Sequence, residues 1–181
     1  VGAFYQPKLV YINLSTLKTL SDREYFSGMG EIIKHGLIKD ASYYQWLISK
    51  IDLIKARDLS VLEEMIYRSC EIKRAVVEHD PKEKGERAML NFGHTLGHAI
   101  EKLMQFSLLH GECVGLGMLA AAEISRKRGL IDKALCSSIK DLLNNLGMPT
   151  RITGIFIDDI IEASKNDKKM EQGKVKFILL K

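Results

Sequence analysis

Three of the five histidines fall within "NFGHTLGHAIEKLMQFSLLHGE", Asn91 to Glu112: they are His94, His98 and His110. A neutral imidazole is a common ligand of divalent metals. Residues four apart are neighbours on one helical face, so His94 and His98 could converge on a single ion. His110 follows an expected turn at "FSLL" and precedes Gly111, whose backbone freedom would let the ring return toward that face. Three nitrogens, or two with a carboxylate, suit zinc with an open catalytic position. Spacing alone favours the His94 and His98 pair and needs a further ligand from elsewhere. A histidine in a helical protein is otherwise a hydrogen-bonded structural residue, and that is the expectation for His35 and His79.

The segment "GMGEIIKHG" offers the carboxylate. Glu31 sits among apolar residues with Lys34 one turn later, and Gly28 and Gly30 permit close backbone approach. A solvent-facing salt pair is the alternative. If the segment is partly buried, as Ile32 and Ile33 imply, the carboxylate needs a cation, and zinc or Lys34 would serve. Basic and amide groups recur nearby: Lys73 in "CEIKRAVV", Arg87 and Asn91 in "ERAMLNFGH", and Lys168 and Lys169 in "NDKK". A helix begun before Gly93 would align Arg87, Asn91, His94 and His98 on one side, an arrangement suited to an anionic substrate beside a metal.

Helices must position these groups. "SDREYFSGMGEIIKHGLI" opens with a capping box, Ser21 with Glu24, and carries apolar residues at helical spacing. Helical patterns recur in "ASYYQWLISKID", "SVLEEMIYRSCEIKRAVVEHD", "GHTLGHAIEKLMQ", "GECVGLGMLAAAEISRKRG", "KALCSSIKDLLNNLG" and "IDDIIEASK". Breaks are expected at "DPKEKGER", at Gly129, and at Gly147 with Pro149 behind it. "KLVYINL", Lys8 to Leu14, alternates and reads as a strand or extended arm, and "KVKFILL" is extended in character. The predicted fold is mainly α: one multi-helical domain over residues 1–181, residues 1–14 an arm, with short terminal strands.

At 181 residues the chain suits one domain or one half of a larger enzyme. Its 27 basic and 23 acidic residues are scattered, without the dense basic tract of a nucleic-acid arm, so a small anionic ligand fits the charge better. Cys70, Cys113 and Cys136 form no C-x-x-C pair and read as buried thiols in a reducing cytosol. No apolar run approaches a spanning helix, so neither a membrane nor a nucleic-acid partner is expected, and the reading is cytoplasmic. Val1 in place of methionine points to a processed product or an excised fragment.

The motifs "GAFYQPK", "GEIIKHGLI", "SCEIKRAVVEHD", "RAMLNFGHTLGHAIE", "LLHGECVGLGM", "GMPT" and "NDKK" occur in the order and style of the 3-dehydroquinate synthases, and the chain resembles that family from Val1 to Lys181. The resemblance implies the carboxy-terminal, helical, metal-binding half of such an enzyme. A nucleotide-binding domain holding NAD would precede it, with substrate in the cleft between. By the match, Glu31, His94 and His110 bind Zn2+ or Co2+, whereas His98 faces substrate as a polar, proton-relaying residue. Lys34, Lys73, Arg87, Asn91 and one of Lys168 and Lys169 correspond to substrate-binding positions, with Lys34 also close to the chemistry.

The implied activity is a lyase reaction of the shikimate pathway, from 3-deoxy-D-arabino-heptulosonate 7-phosphate to 3-dehydroquinate and phosphate, in an enzyme expected to be a homodimer. No G-x-G-x-x-G follows a strand here, and "GLGM", Gly115 to Met118, reads as helix packing, so the chain alone is expected to be catalytically incomplete. The nearest competitor is 2-deoxy-scyllo-inosose synthase, a sugar-phosphate cyclase with the same metal motif; the Lys73, Arg87 and Asn91 set favours a substrate bearing a carboxylate. More distant alternatives are a histidine-aspartate phosphohydrolase site at "EHD", Glu78 to Asp80, and a noncatalytic, metal-free helical module.

Overall fold

The computed structural model describes residues 8–83, 85–165, 170–171 and 174–181. Eight α-helices follow one another among them: α1 (Asp22–Lys39), α2 (Ala41–Ser49), α3 (Ile51–Lys55), α4 (Leu59–His79), α5 (His94–Leu103), α6 (His110–Lys127), α7 (Lys133–Asn145) and α8 (Ile157–Lys165). Their starts are written locally. The Ser21 side chain accepts from the Glu24 amide while Glu24 reaches back to the Ser21 amide, closing the capping box that begins α1. Asp40, Asp58 and Asp132 accept backbone N–H groups in the same way at the starts of α2, α4 and α7.

Helix α6 is the axis of the molecule. On one side it packs along α5, on the other against α1 and α7, and α1 in turn leans on α2 and α4. The larger hydrophobic core joins Ile33, Tyr43, Leu62, Phe92, Met118 and Leu143, all at most 1% exposed. Each such side chain contributes about 1.5–3 kcal/mol of transfer free energy relative to leaving it in water. A smaller cluster under α8 unites Ala99, Ile100, Cys113, Leu116 and Ile160. No described helix is long and apolar enough to cross a membrane.

Three expectations need correction. The expected short terminal strands do not form as such: Lys8–Asn13 has no ladder partner among the described residues and leads directly into a 3-10 segment at Leu14–Thr19. At the other end, pairing is limited to a two-residue antiparallel ladder, Met170–Glu171 with Lys174–Val175, and "FILL" lies outside it. A segment rich in branched residues becomes a strand only when a neighbour satisfies its backbone groups.

Second, Arg87, Asn91, His94 and His98 do not share a helix. Glu86–Asn91 is a 3-10 segment, and Gly93 at φ 80° separates it from α5. A side chain on Gly93 would be strained, and its Cβ would lie 2.8 Å from the Val114 carbonyl oxygen. Third, of the cysteines only Cys113 is buried; Cys70 is exposed and Cys136 half-buried.

Candidate metal centre

Three helices deliver the chemistry. Glu31 comes from the middle of α1, His94 is the first residue of α5 with His98 one turn on, and His110 is the first residue of α6. The ligating atoms of His94, His98 and His110 lie within 4.8 Å of one another, and no other group of this kind gathers among the described residues. Ring centroids are 5.4 Å apart for His94 and His98, 5.4 Å for His94 and His110, and 5.8 Å for His98 and His110. Glu31 Oε1 closes the group, 3.1 Å from His94 Nε2 and 3.9 Å from His110 Nε2.

The hydrogen bonds around this cluster leave one carboxylate oxygen at its centre unused. Glu31 Oε1 is buried with no hydrogen-bond partner, whereas Oε2 accepts from Lys34 Nζ at 2.6 Å. His94 Nδ1 is 3.2 Å from the Phe92 carbonyl oxygen, so a ring that gives its proton there can offer Nε2 to a cation shared with Glu31 Oε1. His110 Nδ1 faces Glu101 Oε2 at 3.4 Å. A histidine that gives one ring N–H to a carbonyl or carboxylate presents its other nitrogen as a ligand, the usual arrangement at metal sites. Donor atoms about 2.0–2.1 Å from a tetrahedral ion are separated by roughly 3.3 Å, which the Glu31, His94 and His110 spacings bracket. The donor set therefore fits a divalent cation such as zinc.

Electrostatics agree with an ionised carboxylate. Burial would raise the Glu31 carboxyl, but without an ion between them a proton on His94 Nε2 would be shared with Oε1, and this with the Lys34 charge outweighs burial and holds the group well below the usual carboxylate range. Lys34 is itself only 3% exposed, so its charge acts on Glu31 with little screening by water. His35 behaves as the structural residue expected: it is buried, hydrogen-bonded through Nδ1 to Ser69 Oγ at 2.7 Å, and burial with nearby Lys34 pushes its pKa down to about 4.

The remaining expected residues are more scattered. Lys73 is exposed on α4, close enough to disfavour a charge on His35. Arg87 donates to the Pro81 carbonyl at 2.9 Å and Asn91 to Glu83 Oε1 at 2.8 Å, so both brace the segment after α4. Lys168 and Lys169 lie outside the described residues. The "EHD" alternative finds no metal-capable cluster among the described residues: His79 is 76% exposed, with Glu86 at 3.7 Å.

Gly111 serves differently from its expected role. It lies inside α6, and a Cβ there would be 1.8 Å from the Ser27 carbonyl oxygen. Its amide donates to Ser27 Oγ at 3.1 Å, so the glycine is needed for contact between α1 and α6. Two groups escaped the sequence reading, Arg23 and Glu112. The Arg23 guanidinium forks onto the Glu112 carboxylate at 2.8 and 2.7 Å, two residues along α6 from His110. The place of Glu112 in the motif "LLHGE" was the available signal; nothing in the spacing pointed to Arg23.

Such a fold and cluster define a helical domain in which one carboxylate and several imidazoles meet where α1 and α5 both pack on α6. The model of the 3-dehydroquinate synthase C-terminal region matches residues 28–170. The chain belongs to the 3-dehydroquinate synthase family. It is 47% identical over 179 residues to the 3-dehydroquinate synthase of Acetivibrio thermocellus, covering 99% of this chain and 50% of that protein. The 3-dehydroquinate synthase of Ruminiclostridium cellulolyticum is 44% identical with the same coverage. The chain thus spans about half the length of the curated relatives it matches.

Among solved structures, the fold superposes with TM-score 0.89 and 24% identity on 2-epi-5-epi-valiolone synthase from Streptomyces hygroscopicus subsp. jinggangensis, determined with NAD+ and Zn2+; the match covers 99% of this chain and 51% of that one. With the same coverage it is similar, at TM-score 0.65 and 26% identity, to 2-deoxy-scyllo-inosose synthase complexed with carbaglucose-6-phosphate, NAD+ and Co2+.

Proposed function

We propose that this chain is the metal- and substrate-binding half of a 3-dehydroquinate synthase, acting on 3-deoxy-D-arabino-heptulosonate 7-phosphate in the cytoplasm as part of a homodimeric enzyme. The observation that carries the reading is the buried Glu31 Oε1, without a hydrogen-bond donor and facing the Nε2 atoms of His94 and His110. Glu31, His94 and His110 would hold zinc or cobalt. When bound, the ion supplies Lewis acidity toward a substrate hydroxyl, lowering its pKa and polarising the carbonyl it becomes. NAD would be held mainly by the other half of the enzyme.

The chain's own residues do the rest. Lys34 keeps Glu31 ionised and oriented through the contact at Oε2. Glu101 and the Phe92 carbonyl fix the ring orientations of His110 and His94. His98, whose ring stands at 5.4 Å from that of His94, would face substrate and exchange protons with it. Lys73, Arg87, Asn91 and one of Lys168 and Lys169 would meet the substrate's carboxylate and phosphate, where charge-assisted hydrogen bonds are strongest. For Arg87 and Asn91 this requires exchanging their present partners, Pro81 and Glu83, for substrate. The related 2-deoxy-scyllo-inosose synthase is the second reading, and its 26% identity against 47% for a 3-dehydroquinate synthase places it behind.

The test is zinc titration of the chelator-treated chain by calorimetry. One equivalent should bind, with binding lost in Glu31→Ala, His94→Ala and His110→Ala and retained in His98→Ala. Absence of stoichiometric zinc, or stability unchanged by chelator, would favour a metal-free module. Turnover by this chain alone would refute the claim that it is catalytically incomplete.

A further inference from the structure

The motif "LLHGE" ends on a carboxylate that the metal centre does not use. Glu112 is 7% exposed in the first turn of α6, two residues after His110. Its Oε2 accepts from the Leu109 amide at 2.8 Å, capping the helix that begins at His110. Arg23 of α1 binds the same carboxylate with a fork, Nε to Oε1 at 2.8 Å and a terminal nitrogen to Oε2 at 2.7 Å. That terminal nitrogen also donates to the Ser107 carbonyl at 2.8 Å, in the segment joining α5 to α6.

Two features indicate that this contact is built for position. Arg23 is the second residue of α1, where the helix dipole disfavours a cation, so its place is justified by its partners on α6. The segment it grips contains Gln105 at φ 50° and Phe106 at φ 60°, left-handed conformations that non-glycine residues adopt only when their surroundings hold them. Released from Arg23, this segment and the first turn of α6 would have freedom to shift, and His110 with them. Glu31 lies on α1, so the fork fixes the distance between two proposed ligands from behind.

We propose that Arg23 is a positioning residue of the metal centre, which through Glu112 and Ser107 locks His110 at the start of α6 against the helix carrying Glu31. This rests on the metal reading above. Groups that orient ligands without touching the ion are typically worth about 10- to 100-fold in metal affinity.

The test uses the 181-residue chain, confirmed folded by circular dichroism, with zinc affinity measured by chelator competition and site geometry by the visible spectrum of the Co2+ form. Arg23→Ala should lose about 10- to 100-fold in zinc affinity and alter the Co2+ spectrum. Arg23→Lys, which keeps the charge but not the fork, should fall between it and wild type. Arg74→Ala, which removes two exposed ion pairs on α4, should change neither. A folded Arg23→Ala that binds zinc like wild type, with the same spectrum, would overturn the proposal. If Arg23→Ala does not fold, Glu112→Gln gives the same reading, since its amide oxygen can still cap Leu109 while the charge pairing is lost; unchanged affinity there is equally fatal. Wild type taking up no zinc would instead overturn the metal reading, and this inference with it.

Discussion

Acidifying the metal-free protein should weaken it through one buried imidazole before the carboxylates respond. His35 lies in α1, 5% exposed, with its Nδ1 held by Ser69 of α4. Burial is the largest influence on its proton; Lys34 and Lys73 add repulsion, and Glu31 offsets part of it. The result is a pKa of about 4 in the folded chain against 6.5 for the free side chain. Between those values the unfolded chain binds a proton that the native one refuses, so stability is complete above pH 6.5 and is lost as pH falls toward 4. At pH 5 the loss comes to about 2 kcal/mol, rising to about 3 kcal/mol once pH is below both pKa values, at ~1.4 kcal/mol per unit. Urea unfolding with chelator present, at pH 7 and 5, measures it. His35→Asn, which retains an amide near the Nδ1 position and cannot titrate there, should lose about 2 kcal/mol less over the interval. Equal losses in the two proteins would refute the assignment, because acidic groups such as Glu31 and Asp40 contribute alike to both and cancel in the difference.

Two further substitutions separate the frame from the site. Gly111→Ala places a methyl group 1.8 Å from the Ser27 carbonyl oxygen, so α1 and α6 must part; thermal unfolding should show a loss of about 3 kcal/mol or more, with zinc affinity falling as His110 moves from Glu31. Tyr25→Phe removes a hydroxyl that donates to the Ile54 carbonyl at 2.7 Å in the core, which should cost about 1–2 kcal/mol in urea unfolding without changing zinc affinity.

Much of the helical frame was legible because its signals are local. The Ser21 and Glu24 box, and Gly129 and Gly147 in positive φ, fall where sequence places the helix ends. The terminal strands were not legible, because a strand depends on a neighbour that sequence does not identify. "KLVYINL" has the composition of a strand and no ladder among the described residues. The continuous helix through Arg87 and Asn91 failed for a comparable reason. Gly93 is held at φ 80° by the close approach of α6, a tertiary contact invisible in the local pattern.

The site shows the same division between local and long-range information. Spacing finds His94 and His98 because they lie one turn apart on a single helix, and the structure does bring them together. Helical spacing says nothing about residues that meet at the junction of different helices. Glu31 and His110 are separated by most of the domain core in sequence, yet their side chains reach one centre because α1 and α6 touch at Ser27 and Gly111. That contact is close enough to exclude a methyl group, so the geometry of the proposed ligands is inherited from backbone packing. Glycine at 111 and the forked Arg23 therefore belong to the same construction: one allows the helices to approach, and the other prevents the start of α6 from turning once they have.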